Sequence, residues 1–193
     1  GELLGQVSFG ELAYWLMTKR RPTDGQRALF EAVLVALADH GFTPTAISAR
    51  LTLHSAPDSL QGALAAGLLG GGSRLLGVSA NSAAFLHDAI GGLDAMPPDD
   101  AGWDEIAEAL VEGAKGAGAF VPGLGHPVHK DVDPRTPVLF DLARHHGVFG
   151  PHLDLFAAIG RVHPRVLSKT LALNGAGTCG AVLADIAIPI GVT

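Results

Sequence analysis

The sequence predicts an all-α protein of some eight or nine helices. Three observations carry that reading. Hydrophobic residues make up 48% of the chain, charged residues 17% and aromatics only 6%, with Ala, Leu and Gly dominant. Such a mixture suits closely packed helices better than a β-sandwich, which would want more Thr, Tyr and Ile. Apolar residues recur at helical spacing in one segment after another, and no segment sustains the period-2 alternation of a half-buried strand. At 193 residues the chain can bury a real core without staples and makes one or two small domains.

The elements follow in order. Residues 26–40 place Leu29, Val33, Ala36, Leu37 and His40 on helical spacing after a Pro-Thr-Asp start signal, and Gly41 stops the helix. Residues 43–53 resume as a helix entered through Pro44 in its first turn. Residues 58–69 start after Pro57 and carry Ala63, Ala65, Ala66 and Gly67, which predicts a buried, tightly packed helix. Residues 70–74, GGGSR, read as a turn. A phosphate-loop reading fails because no Gly-Lys-Ser/Thr follows and no strand precedes. Residues 78–90 are helical, and residues 96–100, MPPDD, form a linker. Residues 103–118 are amphipathic through Ile106, Ala109, Leu110 and Gly113, with acids in the first turn. Residues 136–146 and 152–161 are two further helices, and 179–186 is the last, entered through the loop Asn-Gly-Ala-Gly. No internal repeat recurs at a fixed period.

Charge and cysteine content exclude several classes. The net charge is −6 with no long basic run, which argues against nucleic acid as a partner. Cys179 is the single cysteine, so an internal disulfide framework and a cysteine-based zinc site are ruled out, and a cytoplasmic location is expected. The apolar runs are broken too often by Gly, Asp and His to span a bilayer, and no signal peptide reads at the start. The chain opens at Gly1 without Met and ends on IPIGVT, so both natural ends are expected to be missing.

Polar chemistry concentrates in residues 123–135, GLGHPVHKDVDPR. Pro127 and Pro134 fix backbone φ, so the stretch is a shaped loop, and Gly123 and Gly125 permit tight turns beside His126. Arg135 follows Asp-Pro at a helix start, where its planar fork suits a carboxylate. Lys130 is a point charge that could meet a phosphate. His126 and His129 could form a two-histidine metal clip, but no Glu accompanies them and they lie off any helix, so no metal site is expected. A second polar spot is His40, near a helix C-terminus whose dipole favours the cationic imidazole. It could bind an anionic substrate or satisfy the last carbonyls.

Taken together, these stretches resemble the citrate synthase superfamily, and most of all its short citryl-CoA lyase branch, which also forms the C-terminal module of ATP-citrate lyase. The resemblance runs through RRPTDGQRALFEAVLVALADHGFTPTAISAR, SLQGALAAGLLGGGSRLLG, GLGHPVHKDVDPR and LNGAGTCGA. Gly-x-Gly-His followed by Asp-Pro-Arg is its most specific part. It implies an all-α, citrate synthase-like homodimer with a large domain and a smaller, mobile one. Residues 1–78 would be large-domain helices, 79–187 the small-domain region, and 188–193 the start of the return. It implies His126 as the catalytic histidine on the oxaloacetate carbonyl, which becomes the citryl hydroxyl. His40 and Arg135 would bind substrate carboxylates, and Lys130 would lie near the coenzyme A phosphates. Coenzyme A would enter as a thioester substrate, with no permanently bound cofactor. The partners would be an acyl-CoA and a di- or tricarboxylate, with no nucleic acid and no membrane.

Two positions depart from the family pattern. Leu76 stands where a synthase has a histidine that helps form the acetyl-CoA enol, which argues against a synthase and not against a lyase. Ala176 stands where the family has the aspartate that exchanges the acetyl proton. The activity expected is cleavage of a 3-hydroxyacyl-CoA such as citryl-CoA into acetyl-CoA and oxaloacetate, impaired or altered by Ala176. The alternatives are a non-catalytic paralogue binding a di- or tricarboxylate, and a lyase or synthase acting on a different acyl-CoA. Two features near Ala176 have double readings. Cys179 is either a thiol activated by a helix N-terminus or a small buried packing residue. The Asn-Gly-Ala-Gly amides either hold an anion or serve helix entry alone.

Overall fold

A computed structural model describes residues 1–39, 41–72 and 76–192. Among these residues there are nine α-helices: α1 (Phe9–Thr18), α2 (Asp24–Leu37), α3 (Pro44–Ser55), α4 (Leu60–Leu69), α5 (Val78–Gly91), α6 (Asp100–Gly116), α7 (Arg135–His145), α8 (Pro151–Leu167) and α9 (Gly175–Asp185), with a closing 3₁₀ turn at Ile190–Val192. No strand forms among them; β-type pairing is limited to one antiparallel bridge between Leu124 and Leu173.

Local chemistry sets the helix starts. Thr23 and Gln26 form a reciprocal capping box on α2, Thr43 caps α3 ahead of Pro44, Asp99 caps α6, and Asn174 caps α9. Each cap oxygen accepts an amide that the first turn would otherwise leave unpaired. The core is built on α8, whose Leu153, Leu155, Phe156, Ala158, Ile159 and Val162 are all buried. Against it α6 lays Trp103, Ala107 and Val111, a stripe at four-residue spacing. Helix α9 is the hub, packed against α2, α5, α7 and α8. Its glycines make that possible: a Cβ at Gly180 would run into the Ser79 carbonyl oxygen of α5. At its other end Asp185 caps α8, accepting the Gly150 and Leu153 amides at 3.0 Å each. Tyr14 of α1 donates to the Ile186 carbonyl just beyond.

Beyond shifts of two or three residues at helix ends, the structure departs from the sequence reading in four places. Helix α1 lies in a stretch to which no element was assigned; Ser8 caps it, and Tyr14 buries its ring against Phe30. Helix α8 does not end at Arg161 but runs through Pro164 to Leu167. The apolar stripe it buries outweighs the one backbone bond that proline forfeits. Helix α9 starts at Gly175 and not at Cys179, because Asn174 is its cap, so the Gly-Ala-Gly run is the first turn and not a preceding loop. Helix α4 is only half buried. Ala63 and Gly67, one turn apart, pack on α3, while Leu60, Leu64, Leu68 and Leu69 stay exposed.

The α5–α9 contact yields the first prediction. Gly180→Ala places a methyl group against backbone, which cannot rotate away, and should destabilise the protein by about 2–3 kcal/mol. Urea unfolding measures this; an unchanged midpoint would mean the two helices are not in backbone contact.

Candidate active site

The segment from Gly123 to Arg135 is an irregular loop held by backbone pairing to residues 172–174. The Gly125 amide donates to the Ala172 carbonyl at 2.7 Å, and the Asn174 amide donates to the Gly123 carbonyl at 2.8 Å. Gly123 (φ +86°) and Gly125 (φ +87°) occupy the left-handed region. A Cβ at Gly123 would stand 2.7 Å from the Phe156 ring, so the close approach also needs glycine. Asn174 staples the two pieces together: its Nδ2 donates to the Gly125 carbonyl, and its Oδ1 accepts the Gly177 amide, both at 2.8 Å.

His126 is half-buried at the tip of this turn. Its Nδ1 accepts two backbone amides, from Val128 at 3.1 Å and from His129 at 2.9 Å. A nitrogen that accepts cannot carry the proton, so the neutral ring carries it on Nε2 and presents an N–H donor there. Lys130 is exposed, and its Nζ reaches back to the His126 carbonyl at 3.2 Å.

Asp133 and Arg135 form the electrostatic centre. The Asp133 side chain has no exposure to solvent and Arg135 keeps 22%. Arg135 donates through Nε at 3.0 Å and Nη2 at 2.7 Å to the two carboxylate oxygens, a bidentate pair. The Gly175 amide, first in α9, donates to the same carboxylate at 2.7 Å. Burial alone would push the Asp133 carboxyl up, but the Arg135 guanidinium and the Gly175 and Arg135 amides outweigh it and hold it well below the usual carboxylate range. Arg135 Nη1 donates to the Ala36 carbonyl near the end of α2 at 3.2 Å. Three of the five guanidinium N–H groups are thus engaged among the described residues, leaving two for a ligand.

The structure therefore brings His126, Lys130 and Arg135 onto one loop. The ligand-capable atoms of His126, His129 and Asp133 lie within 4.8 Å of one another. The third member, Asp133, already serves a guanidinium and an amide, so a metal there would have to displace Arg135. His40 lies outside the described residues. Two further roles were not legible in advance: Asp133 as the anchor of Arg135, and Asn174 as the staple. Asp133 stands two residues before Arg135 with proline between them, a spacing that does not by itself announce a buried pair.

Leu76 and Ala176 line the same recess, about 120 Å³, with Leu37, Thr43, Thr45, Val78 and Ser79. None of these side chains is an acid or a base at neutral pH. The structure narrows both active readings at the start of α9. Burial pushes the Cys179 thiol up to about 12, despite the cationic Arg135 nearby, so it is a packing residue and not a nucleophile. The Gly175 and Gly177 amides are spent on Asp133 and Asn174, so of this run only the Ala176 amide could meet an anion.

Residues 2–192 match the model of the citrate synthase C-terminal domain. The chain belongs to the citrate synthase family. It is 36% identical over 138 residues to a citrate synthase of Deinococcus radiodurans, covering 68% of this chain and 32% of that protein. Among solved structures it superposes on citryl-CoA lyase from Hydrogenobacter thermophilus with a TM-score of 0.86 at 29% identity, covering 98% of this chain and 70% of that one. An ATP citrate lyase from Methanothrix soehngenii, solved with citrate and coenzyme A, gives a TM-score of 0.76 at 23% identity over 95% of this chain and 28% of its own. The chain spans about a third or less of the length of the curated relatives it matches. These comparisons bear out the all-helical, citrate synthase-like fold and the lyase-like resemblance. No helix among the described residues is long and apolar enough to cross a membrane.

The Asp133 pair sets an acid limb of stability. Its carboxyl is lowered on folding, so the stabilisation is fully present above the ordinary carboxylate range and is lost as pH falls through and below it. Asp133→Asn should cost about 3–5 kcal/mol at pH 7, since it strands a half-buried guanidinium. It should also flatten the fall in stability below roughly pH 4. Thermal melts from pH 7 to pH 3 compare the two proteins; parallel acid limbs would show that Asp133 is not the titrating group.

Proposed function

We propose that this chain performs citryl-CoA lyase-type chemistry, cleaving a 3-hydroxyacyl-CoA such as citryl-CoA into acetyl-CoA and oxaloacetate. The observation that carries the reading is the placement of His126 and Arg135 on one locked loop, with a donor N–H on the imidazole and two N–H groups left on the guanidinium. Arg135 holds a carboxylate of the substrate's oxaloacetate half. Lys130, at the exposed edge of the loop, meets the phosphates of coenzyme A. His40 binds a second carboxylate.

The tautomer refines the part played by His126. A ring whose Nδ1 is occupied and whose Nε2 carries hydrogen does not take the citryl hydroxyl proton; it donates to that oxygen. The hydrogen bond strengthens as the oxygen becomes an alkoxide and is worth most when negative charge peaks there. The alkoxide then collapses to the oxaloacetate carbonyl, the carbon–carbon bond breaks, and its electron pair leaves on the acetyl group as an enolate. Solvent water takes the hydroxyl proton as the alkoxide forms, and solvent returns one to the enolate carbon. Ala176 cannot supply that proton.

That substitution slows protonation but does not forbid it. A positioned acid is typically worth ~10²–10⁴ in rate, or roughly 3–5 kcal/mol of barrier. Synthesis suffers more, because it must begin by removing a proton from a thioester methyl group.

A coupled assay for oxaloacetate release from citryl-CoA tests the reading. The full-length protein should turn over slowly, His126→Ala should lose at least about 10² of the rate, and Ala176→Asp should gain about 10²–10³. No turnover above buffer by a folded protein would reject the lyase. Leu76 and Ala176, neither an acid nor a base, favour two other readings. Citrate binding by calorimetry without turnover would support a non-catalytic paralogue, and products from a different ester in a mass-spectrometric panel would support another acyl-CoA.

The exposed leucines of α4, with Ile47 and Leu51 of α3, support a homodimer that covers this face. Sedimentation should give twice the chain mass, and Leu64→Glu with Leu68→Glu should shift it to monomer. A monomeric wild-type protein would remove the dimer.

A further inference from the structure

We propose that His163 is a positioning residue for His126, acting through the segment that carries the catalytic loop. The inference rests on the reading of His126 as the catalytic histidine. His163 lies far along α8, immediately before Pro164, and only 2% of it is exposed. Neither the lyase chemistry nor core packing requires an imidazole there. Its hydrogen bonds show what it does. Nδ1 lies 3.0 Å from the Ile159 carbonyl one turn back and donates to it. That bond fixes the tautomer, so Nε2 keeps its lone pair. The lone pair accepts the Leu171 amide at 3.0 Å.

Leu171 opens the segment that holds the His126 loop in place. Next to it, the Ala172 carbonyl accepts the Gly125 amide, Leu173 bridges Leu124, and the Asn174 amide reaches Gly123. Gly125 is the residue before His126. A single relay therefore runs from the His163 ring through the Leu171 amide and the Ala172 carbonyl to the turn that aims the catalytic imidazole. The requirement is specific. The side chain must accept an amide at full reach from a helix and donate back to its own helix, because an unpaired buried amide at Leu171 would free the segment to shift. Among uncharged side chains, imidazole in this tautomer does both. Glutamine reproduces the distant acceptor. Asparagine is too short to reach Leu171, and phenylalanine fills the space with no acceptor.

Three variants of the full-length protein test this: His163→Phe, His163→Asn and His163→Gln. Two readouts are followed, hydrogen exchange of the Gly125 amide and steady-state cleavage of citryl-CoA. In the Phe and Asn variants Gly125 should exchange about tenfold faster or more, and kcat should fall about tenfold or more with KM changed less than about twofold. The Gln variant should restore both. If the Phe variant does not fold, the contrast between Asn and Gln decides. Wild-type kcat and Gly125 protection in a folded Phe or Asn variant would overturn the proposal, as would a Gln variant no better than Asn. If the wild-type protein shows no turnover but Gly125 exchange still follows residue 163, the positioning role stands and the lyase reading falls.

Discussion

The Asp133 carboxylate sits without solvent contact between the Arg135 guanidinium and the first amide of α9. Its water is gone, so its charge survives only because two oxygens receive a bidentate fork and two backbone amides. The rest of the site depends on that. The carboxylate ties the end of the 123–135 loop to the start of α9 and sets the direction in which Arg135 points. The remaining guanidinium bond, to the Ala36 carbonyl, joins the loop to α2. Glycine at 175 is part of the arrangement, because a Cβ there would strike the Arg135 guanidinium.

From this anchor the site builds outward in layers of decreasing burial. Asn174 staples the loop to α9, the backbone pairing at 123–125 holds the turn, and His126 sits half-buried at its tip with Nδ1 occupied by amides. Lys130, at the edge, is exposed and among the described residues is bound to the loop backbone. The groups that would meet a substrate are thus held by others that cannot. That ordering suits catalysis by hydrogen-bond donation, where the donor must already be placed when charge develops.

Much of this was legible in the residues. Several helices were read close to their true positions: α6 from its acids and apolar spacing, α3 from Pro44 in its first turn, and α5 as residues 78–90. The motif around His126 and Arg135 marks a loop that the structure holds by backbone pairing to residues 172–174. What was missed has a common cause: tertiary contacts overrode a local rule. Pro164 argues for a helix end, yet α8 continues because its buried face is worth more than one backbone bond. Gly175 and Gly177 argue for a loop, yet they are helical because only glycine lets α9 approach Arg135 and Gly123. The small residues of α4 argue for burial, yet they serve one neighbour while the leucines face outward. Cys179 carried two readings, and complete burial selects the packing residue. Asp133 could not be weighed from sequence, since nothing local shows that a carboxylate two residues from an arginine will be buried with it.

In the proposed lyase, an imidazole N–H at 126 and the remaining N–H groups of Arg135 would address the two ends of a single small oxo acid. A crystal structure of the protein soaked with oxaloacetate tests that directly. The keto oxygen should lie within hydrogen-bond distance of His126 Nε2 and a carboxylate on the unengaged edge of Arg135, with the Asp133 pair unbroken. Oxaloacetate bound elsewhere, or bound at Arg135 only after that pair has opened, would contradict it.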